Sequence, residues 1–171
     1  MESCVQVYTG DGKGKTTAAA GLAVRAAGRG LTVKFVQFLK GEESGELRIL
    51  KKIDGIEALR VPCPAKFFNQ LDDNEKAVMR TDAVVALARV KNWLNSADML
   101  ILDEAMPALT CGLLNINEVM DIIDNRGKTE IVLTGRGAPK QIIKRAHLVT
   151  LMRSIKHYYV NGLRARKGIE Y

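Results

Sequence analysis

The residues of this chain best suited to chemistry lie near its start, in the stretch TGDGKGKTT at positions 9–17. Its alternating glycines permit backbone conformations that turn amide hydrogens toward an anion. Lys15 supplies a positive charge, and the hydroxyl of Thr16 is a ligand that Mg²⁺ accepts beside phosphates. This stretch, the phosphate loop, therefore predicts a binding site for a phosphate-bearing ligand.

The phosphate loop matches the end of the pattern GxxxxGK[ST] through Gly14, Lys15 and Thr16. The first position of that pattern falls on Thr9, with Gly10 one residue late. An alternating apolar run precedes the loop and an alanine-rich helical pattern follows it, so the positive end of a helix should face the ligand. A glycine-rich turn with incidental lysines is the alternative, but the coincidence of strand, glycines, GKT and helix favours nucleotide binding.

Two other predicted strand ends carry charged residues. The segment MLILDE (99–104) brings Asp103 and Glu104 to the end of an apolar strand, where nucleotide-binding proteins place an acid beside the metal. Neighbouring strand residues face opposite ways, so we expect only one of these acids to ligate Mg²⁺ directly. The segment LTGRG (133–137) exposes Arg136 at the same edge. Taken alone, acids at a strand end are equally consistent with a cap on the following turn.

The rest of the chain supplies elements that would hold these loops. Short β-rich runs alternate with longer helical patterns, which predicts a three-layer α/β fold in one domain over 1–171. With the phosphate loop at the end of its first strand, the expected class is P-loop NTPase-like (RecA-like). Its mostly parallel central sheet would have helices on both faces. The expected strands are Cys4–Thr9, Leu31–Phe38, Ile56–Val61, Met99–Asp103, Thr129–Thr134 and Leu148–Leu151.

Four helices are expected between these strands. The first starts near Lys15 and is capped near Gly28 or Gly30, and the others are Asp73–Asn95, Asn117–Asn125 and one that begins at Pro139. The second is predicted from four apolar residues that recur at helical intervals: Val78, Val84, Leu87 and Leu94. Trp93 in the same segment is expected to pack in the core.

Composition narrows the function classes. A net charge of +7 and a pI near 9.4 indicate a surface that attracts anions, without choosing between nucleotides, nucleic acid and simple solubility. Three cysteines without a CxxC pair support neither a disulfide framework nor a zinc site. No signal segment or apolar run long enough to span a membrane is visible, so we expect a cytoplasmic protein. His147 and His157 lie in no recognisable catalytic motif and are expected to be structural or surface residues.

The motifs TGDGKGKTTAAAGLAVRAAGRG, VQFLKGEESGEL, LDE, LTGRG and KGIEY together resemble the P-loop type of ATP:corrinoid adenosyltransferase family, over nearly the whole chain. The most specific pieces are the loop TG[ND]GKGKTTAA, which carries the same shifted glycine, and VQF[IL]KG. The resemblance implies that ATP is a reactant. Its 5′-deoxyadenosyl group would move to a Co(I) corrinoid, either cobalamin or a precursor, and triphosphate would leave.

The resemblance also implies site residues and partners. Mg²⁺ would be held by Thr16 and Glu104, with Asp103 a further candidate, and the residues assigned to catalysis are Lys15, Arg25, Glu104 and Arg136. Residues 10–16 would wrap the triphosphate, and the full set expected to bind the nucleotide is Thr9, Gly10, Asp11, Gly12, Lys13, Gly14, Lys15, Thr16 and Thr17. The implied partners are a flavoprotein or other reductant of Co(II) and a second copy of the chain in a homodimer, with no nucleic acid and no membrane.

Three segments leave alternatives open. The family often has a Phe and a Trp two residues apart that press on the lower face of the corrin. Here Phe67 and Phe68 are followed by Asn69, so either these rings contact the corrinoid or they are core residues. The charged loop 40–46 either borders the substrate pocket or is plain surface. The basic segment from Arg153 to Lys167 could clasp an anion, support a subunit contact or be an exposed tail.

Two rival functions follow from the same motifs. A generic P-loop ATPase or phosphotransferase would release ADP or phosphate, whereas the adenosyltransferase reaction releases triphosphate. A nucleotide-regulated nucleic-acid-binding protein would fit the basic pI, but only nine aromatic residues occur and few of them lie near the basic segment.

Overall fold

A computed structural model of the chain describes residues 2–64, 66, 68–94 and 96–170. Its strands are β1 (Val5–Thr9), β2 (Val33–Gln37), β3 (Ile56–Arg60), β4 (Met99–Asp103), β5 (Glu130–Thr134) and β6 (Leu148–Leu151). Its α-helices are α1 (Lys15–Ala27), α2 (Gly45–Leu50), α3 (Asp73–Trp93), α4 (Ala105–Thr110), α5 (Ile116–Asp124) and α6 (Lys140–Arg145). Short 3₁₀ turns occur at Phe68–Gln70 and Tyr158–Asn161.

The strands form one sheet in the order β3-β2-β4-β5-β1-β6, and every pairing is parallel. The carboxyl ends of β2, β4, β5 and β1 therefore lie side by side at one edge. Ligands of open α/β sheets bind at this edge. The topology thus brings together the phosphate loop and the loops that follow Gln37, Asp103 and Thr134.

Helices cover both faces of the sheet because its strand residues alternate between two cores. Phe35, Ile101 and Val132 pack with the buried alanines of α1, and with Leu47 and Leu50 of α2. Val36, Leu102 and Leu133 face the other side, where α3, α4, α5 and α6 supply the larger core. The predicted α/β class, with a parallel sheet between two helical layers, is confirmed.

The buried alanines of α1, which follow one another at helical intervals, explain how the phosphate loop is held. Ala19, Ala23 and Ala26 are almost fully buried against the sheet. Small side chains let this helix lie close to the strands, and Gly28 ends it as predicted. The start of α1 at Lys15 is thereby fixed at the carboxyl end of β1.

The helical pattern of residues 73–95 predicted the helix but not its orientation. Val78 and Val84, which shared the apolar periodicity, are 63% and 56% exposed. The face that packs is formed by Met79, Ala83 and Leu87. Trp93 is buried as expected, at 8% exposed. The error arises because two apolar stripes run along this helix, and only one of them meets the sheet.

Two short helices, α2 and α4, were not predicted from the sequence. Ser44 caps α2, its hydroxyl accepting a hydrogen bond from Leu47 N at 3.3 Å. Helix α4 follows Glu104, which adopts a left-handed backbone conformation at φ 58°. Across the part of the chain that the structure describes, none of the helices combines the length and apolar character that crossing a bilayer requires.

Candidate active site

The phosphate loop leaves β1 at Thr9 and enters α1 at Lys15. Gly10 has φ +104°, a conformation that side chains with a Cβ rarely adopt. A Cβ on Gly12 would lie 2.8 Å from the carbonyl oxygen of Met152, with which the Gly12 N–H forms a hydrogen bond of 2.8 Å. These glycines are therefore required by a close approach of the chain to itself.

Lys15 is buried, being 7% exposed, and its ammonium donates a hydrogen bond of 2.6 Å to the carbonyl of Gly12. Burial lowers the pKa of Lys15, the nearby Arg136 lowers it further, and Glu104, Asp11 and Asp103 act in the opposite direction. Arg136 itself donates to the carbonyl of Asp11 at 3.3 Å. The two cations thus meet at the phosphate loop, where an anion would relieve their repulsion.

The two acids after β4 occupy different environments. Asp103 is fully buried, and its carboxylate accepts hydrogen bonds from the Thr134 hydroxyl at 2.6 Å and from Gln37 Nε2 at 2.9 Å. Among the described residues, the Glu104 carboxylate has no hydrogen-bond partner, although its backbone N–H donates to Thr134 Oγ1 at 3.0 Å. Burial, followed by the charge of Asp103, raises the pKa of Glu104. Glu104 is therefore the acid with free oxygens for a ligand.

A cleft of about 540 Å³ lies over the phosphate loop. Its described lining contains six residues of Asp or Glu against four of Lys or Arg, although the whole chain carries a charge of +7. The loop after β2 contributes several of these residues, which places it on the cleft and not on plain surface. The cleft residues are Asp11, Gly12, Lys13, Gly14, Lys15, Thr16, Thr17, Lys40, Gly41, Glu42, Glu43, Ser44, Glu46, Glu104, Arg136, His157, Ile169 and Glu170.

The cleft at this edge combines the glycine-rich phosphate loop with Lys15, Glu104 and Arg136, and sequence comparison identifies the family of the chain. All of residues 1–171 match the family described as ATP:corrinoid adenosyltransferase BtuR/CobO/CobP. The chain belongs to this family. It is 34% identical over 168 residues to a corrinoid adenosyltransferase of Escherichia coli (strain K12), covering 96% of this chain and 84% of that protein.

Other members of the adenosyltransferase family are similarly related. The corrinoid adenosyltransferase CobA of Salmonella typhimurium is 36% identical over 169 residues, which cover 96% of this chain and 84% of CobA. A corrinoid adenosyltransferase of Pseudomonas aeruginosa is 32% identical over 167 residues, with 96% and 82% covered. The similarity extends over the whole fold and is not confined to the phosphate loop.

The structure does not bring every predicted site residue into the cleft. Arg25 is exposed on α1, away from the cleft lining, where its charge opposes the burial that raises the pKa of Tyr8. Asp103 and Thr9 are buried, and neither they nor Gly10 line the cleft. These positions separate the predicted residues that line the cleft from those that lie outside it.

Phe68, which follows β3, does not line the phosphate cleft. Phe67 falls outside the described residues, and Phe68 begins a 3₁₀ turn and packs in part against the larger core. A second cavity of about 480 Å³ lies nearby, between the segment that follows β3 and the start of α3. It is bordered by Pro62, Cys63 and Val78 among others.

Several residues at the site were not found by sequence reasoning. Gln37 and Thr134 donate hydrogen bonds to Asp103. The sequence feature that could have identified them is that each is a polar residue at the end of an otherwise apolar predicted strand. Glu170 reaches the cleft from the end of the chain, which no local pattern predicted. His157 lines the cleft, and its Nδ1 accepts a hydrogen bond from Tyr159 N. His147 does not line the cleft; its Nδ1 accepts a hydrogen bond from Val5 N at 2.9 Å.

Proposed function

We propose that this protein transfers the 5′-deoxyadenosyl group of ATP to the Co(I) centre of a corrinoid and releases triphosphate. The observation that supports it most directly is the single cleft that gathers the phosphate loop, Glu104 and Arg136 in a member of this family. ATP is then a reactant and not a fuel. Cobalamin and its biosynthetic precursors are the candidate acceptors.

The chemistry needs little from protein acids or bases. The electron pair of Co(I) attacks C5′, so that a cobalt–carbon bond forms, the C5′–O bond breaks and its electron pair leaves on the triphosphate. No proton is transferred. Lys15, Arg136 and the amides of the phosphate loop act by stabilising the charge that develops on the leaving oxygen, which lowers the barrier more than it stabilises bound ATP.

Mg²⁺ is part of the proposal because the residues fit it. No three His, Cys, Asp or Glu side chains of the described residues converge as a protein-only metal site. Mg²⁺ is commonly held by one or two protein oxygens together with substrate phosphates, and Thr16 and Glu104 both face the cleft. When bound, it supplies positive charge that offsets both the phosphates and the acidic lining. Asp103 has its oxygens engaged and serves to hold the strand end.

The acceptor side and the partners are proposed from the resemblance alone. The aromatic segment at Phe67 and Phe68 would press on the lower face of the corrin, which favours reduction of Co(II) by a flavoprotein or other reductant. Phe67→Ala should then slow turnover that starts from Co(II), while turnover from chemically prepared Co(I) stays near normal. Equal losses in both assays would argue against the contact. We also propose a homodimer, which sedimentation would test.

The deciding experiment supplies the protein with Mg-ATP and a chemically reduced Co(I) corrinoid. The expected result is the absorbance change of a photolabile adenosylated corrinoid, with triphosphate formed in equal amount. Formation of ADP or free phosphate without a cobalt–carbon bond would refute adenosyl transfer and support an ordinary ATPase. Salt-sensitive binding to nucleic acid, with no effect of the corrinoid, would support the other alternative.

A further inference from the structure

The chain beyond β6 crosses the outer side of the phosphate loop. The carbonyl of Met152 accepts the N–H of Gly12 at 2.8 Å, and a Cβ on Gly10 would lie 2.3 Å from the same oxygen. Two residues on, Ser154 N donates to the Asp11 carboxylate at 3.4 Å. Residues 152–154 therefore contact the backbone of the phosphate loop, and the absence of a Cβ at Gly10 and Gly12 permits this close approach.

The same chain returns to the loop at its end and binds Lys13. The Lys13 ammonium donates to Tyr158 OH at 3.1 Å, to the carbonyl of Ile169 at 2.8 Å and to Glu170 Oε1 at 2.9 Å. An ammonium has three donors, so all of them are used. Arg166 binds the other carboxylate oxygen of Glu170, Oε2, from its backbone N–H at 2.7 Å and from its guanidinium Nε at 3.3 Å.

We propose that residues 152–170 form a strap across the phosphate loop, and that Glu170 is a positioning residue, which holds Lys13 on the strap and so keeps the loop in its triphosphate-binding shape. His157, Ile169 and Glu170 of the strap line the cleft, so the strap is also one of its walls. Lys13 contributes its charge while Lys15 is left to bind phosphate. The inference rests on the proposed binding of a triphosphate in the cleft, and not on transfer to cobalt.

Because Glu170 is negatively charged, a purely electrostatic role and a positioning role predict opposite changes in ATP affinity when the charge is removed. Removing an acidic group from an anion site should by itself strengthen ATP binding, because one repulsive charge is lost. If Glu170 positions the loop, Glu170→Gln should instead raise the Kd for Mg-ATP by about three- to fivefold, the upper part of the range for one exposed charged contact. Arg164→Gln, an exposed change on the same strap, is the control and should leave the Kd within about twofold.

A second variant identifies the contact through which Glu170 acts. Lys13→Met should weaken ATP binding. Adding Glu170→Gln to it should weaken binding little further, because both changes break the same Lys13–Glu170 ion pair. Thermal unfolding of each variant in the absence of ATP shows that the chain still folds. Stronger or unchanged binding in folded Glu170→Gln would overturn the proposal, as would full additivity of the two changes.

Limited digestion with trypsin follows the strap directly, since Arg164, Arg166 and Lys167 offer cleavage sites on it. We expect Mg-ATP or inorganic triphosphate to slow cleavage of the wild-type strap, and Glu170→Gln to speed it. Faster cleavage of the wild type with ligand would mean that the ligand displaces the strap, which contradicts the proposal. Both readouts need no corrinoid, so a failure of adenosyl transfer would leave them interpretable.

Discussion

Replacing Thr134 with Val should damage both the fold and the site, because one hydroxyl serves both acids after β4. It donates to the Asp103 carboxylate at 2.6 Å and accepts from Glu104 N at 3.0 Å, in a fully buried position. Valine has nearly the same shape but leaves a buried carboxylate oxygen of Asp103 and a partly buried N–H of Glu104 unpaired. At about 1–3 kcal/mol for each group, the expected loss is about 4 kcal/mol of unfolding free energy. For a chain of this size, the melting temperature should fall by roughly 10 °C.

The binding effect of Thr134→Val is separated from its stability effect by a matched variant. Thr129 is also buried, near the other end of the same strand, and its hydroxyl contacts the carbonyls of Leu94 and Ala97 at 2.8 Å each. Thr129→Val should lower stability by about 1–2 kcal/mol and leave ATP affinity unchanged. Thr134→Val should weaken Mg-ATP binding about tenfold as well, measured by calorimetry well below its melting temperature. Equal ATP affinities in the two variants would refute the reasoning.

Three further outcomes are expected. Lys15→Ala should abolish both ATP binding and turnover, because the cleft loses the buried cation of its phosphate loop. Equilibrium binding and product assays measure the two effects, and wild-type values in both would refute this assignment of the site. Gly12→Ala should remove ATP binding because its Cβ would lie 2.8 Å from Met152, whereas Gly21→Ala, with open space at its position, should bind normally and gain about 1 kcal/mol of stability. Burial raises the pKa of Glu104, so the ionised form of this side chain destabilises the fold at neutral pH. Glu104→Gln should therefore unfold at a higher urea concentration than the wild type at neutral pH, and this difference should disappear below about pH 4.5, the ordinary glutamate value. The same variant should bind Mg-ATP weakly.

The phosphate loop could be predicted from the sequence because its information is local. Glycines, a GK[ST] ending, a preceding strand and a following helix all lie within one continuous stretch, and the start of α1 at Lys15 agrees with the structure. The convergence of Glu104 and Arg136 on the same cleft could also be inferred, since the carboxyl ends of parallel strands share one edge. Alternation of strands and helices was sufficient for this step.

Contacts between distant parts of the chain could not be predicted in this way. Lys13 and Glu170 are 157 residues apart, and no periodicity or motif encodes that pairing. The left-handed conformation of Glu104 is likewise imposed by packing, because its residue type favours neither this backbone nor a helix start. The same reasoning accounts for Val78, since an apolar residue in a helix does not reveal which stripe meets the sheet.

The distribution of buried polarity gives an independent reason to place function at this edge. The final residues of four neighbouring strands, Thr9, Gln37, Asp103 and Thr134, are polar, and each is at most 7% exposed. Together with Lys15 they account for five of the six buried polar or charged residues in the described part of the chain. Burying such groups costs free energy unless they are paired, so a fold selected only for stability would have apolar strand ends here. Gln37 Oε1 lacks a partner within the described structure, which means that the network is not closed by the protein alone. A fold that concentrates its buried polarity beneath one cleft is built to hold charge there, which is what a departing triphosphate requires.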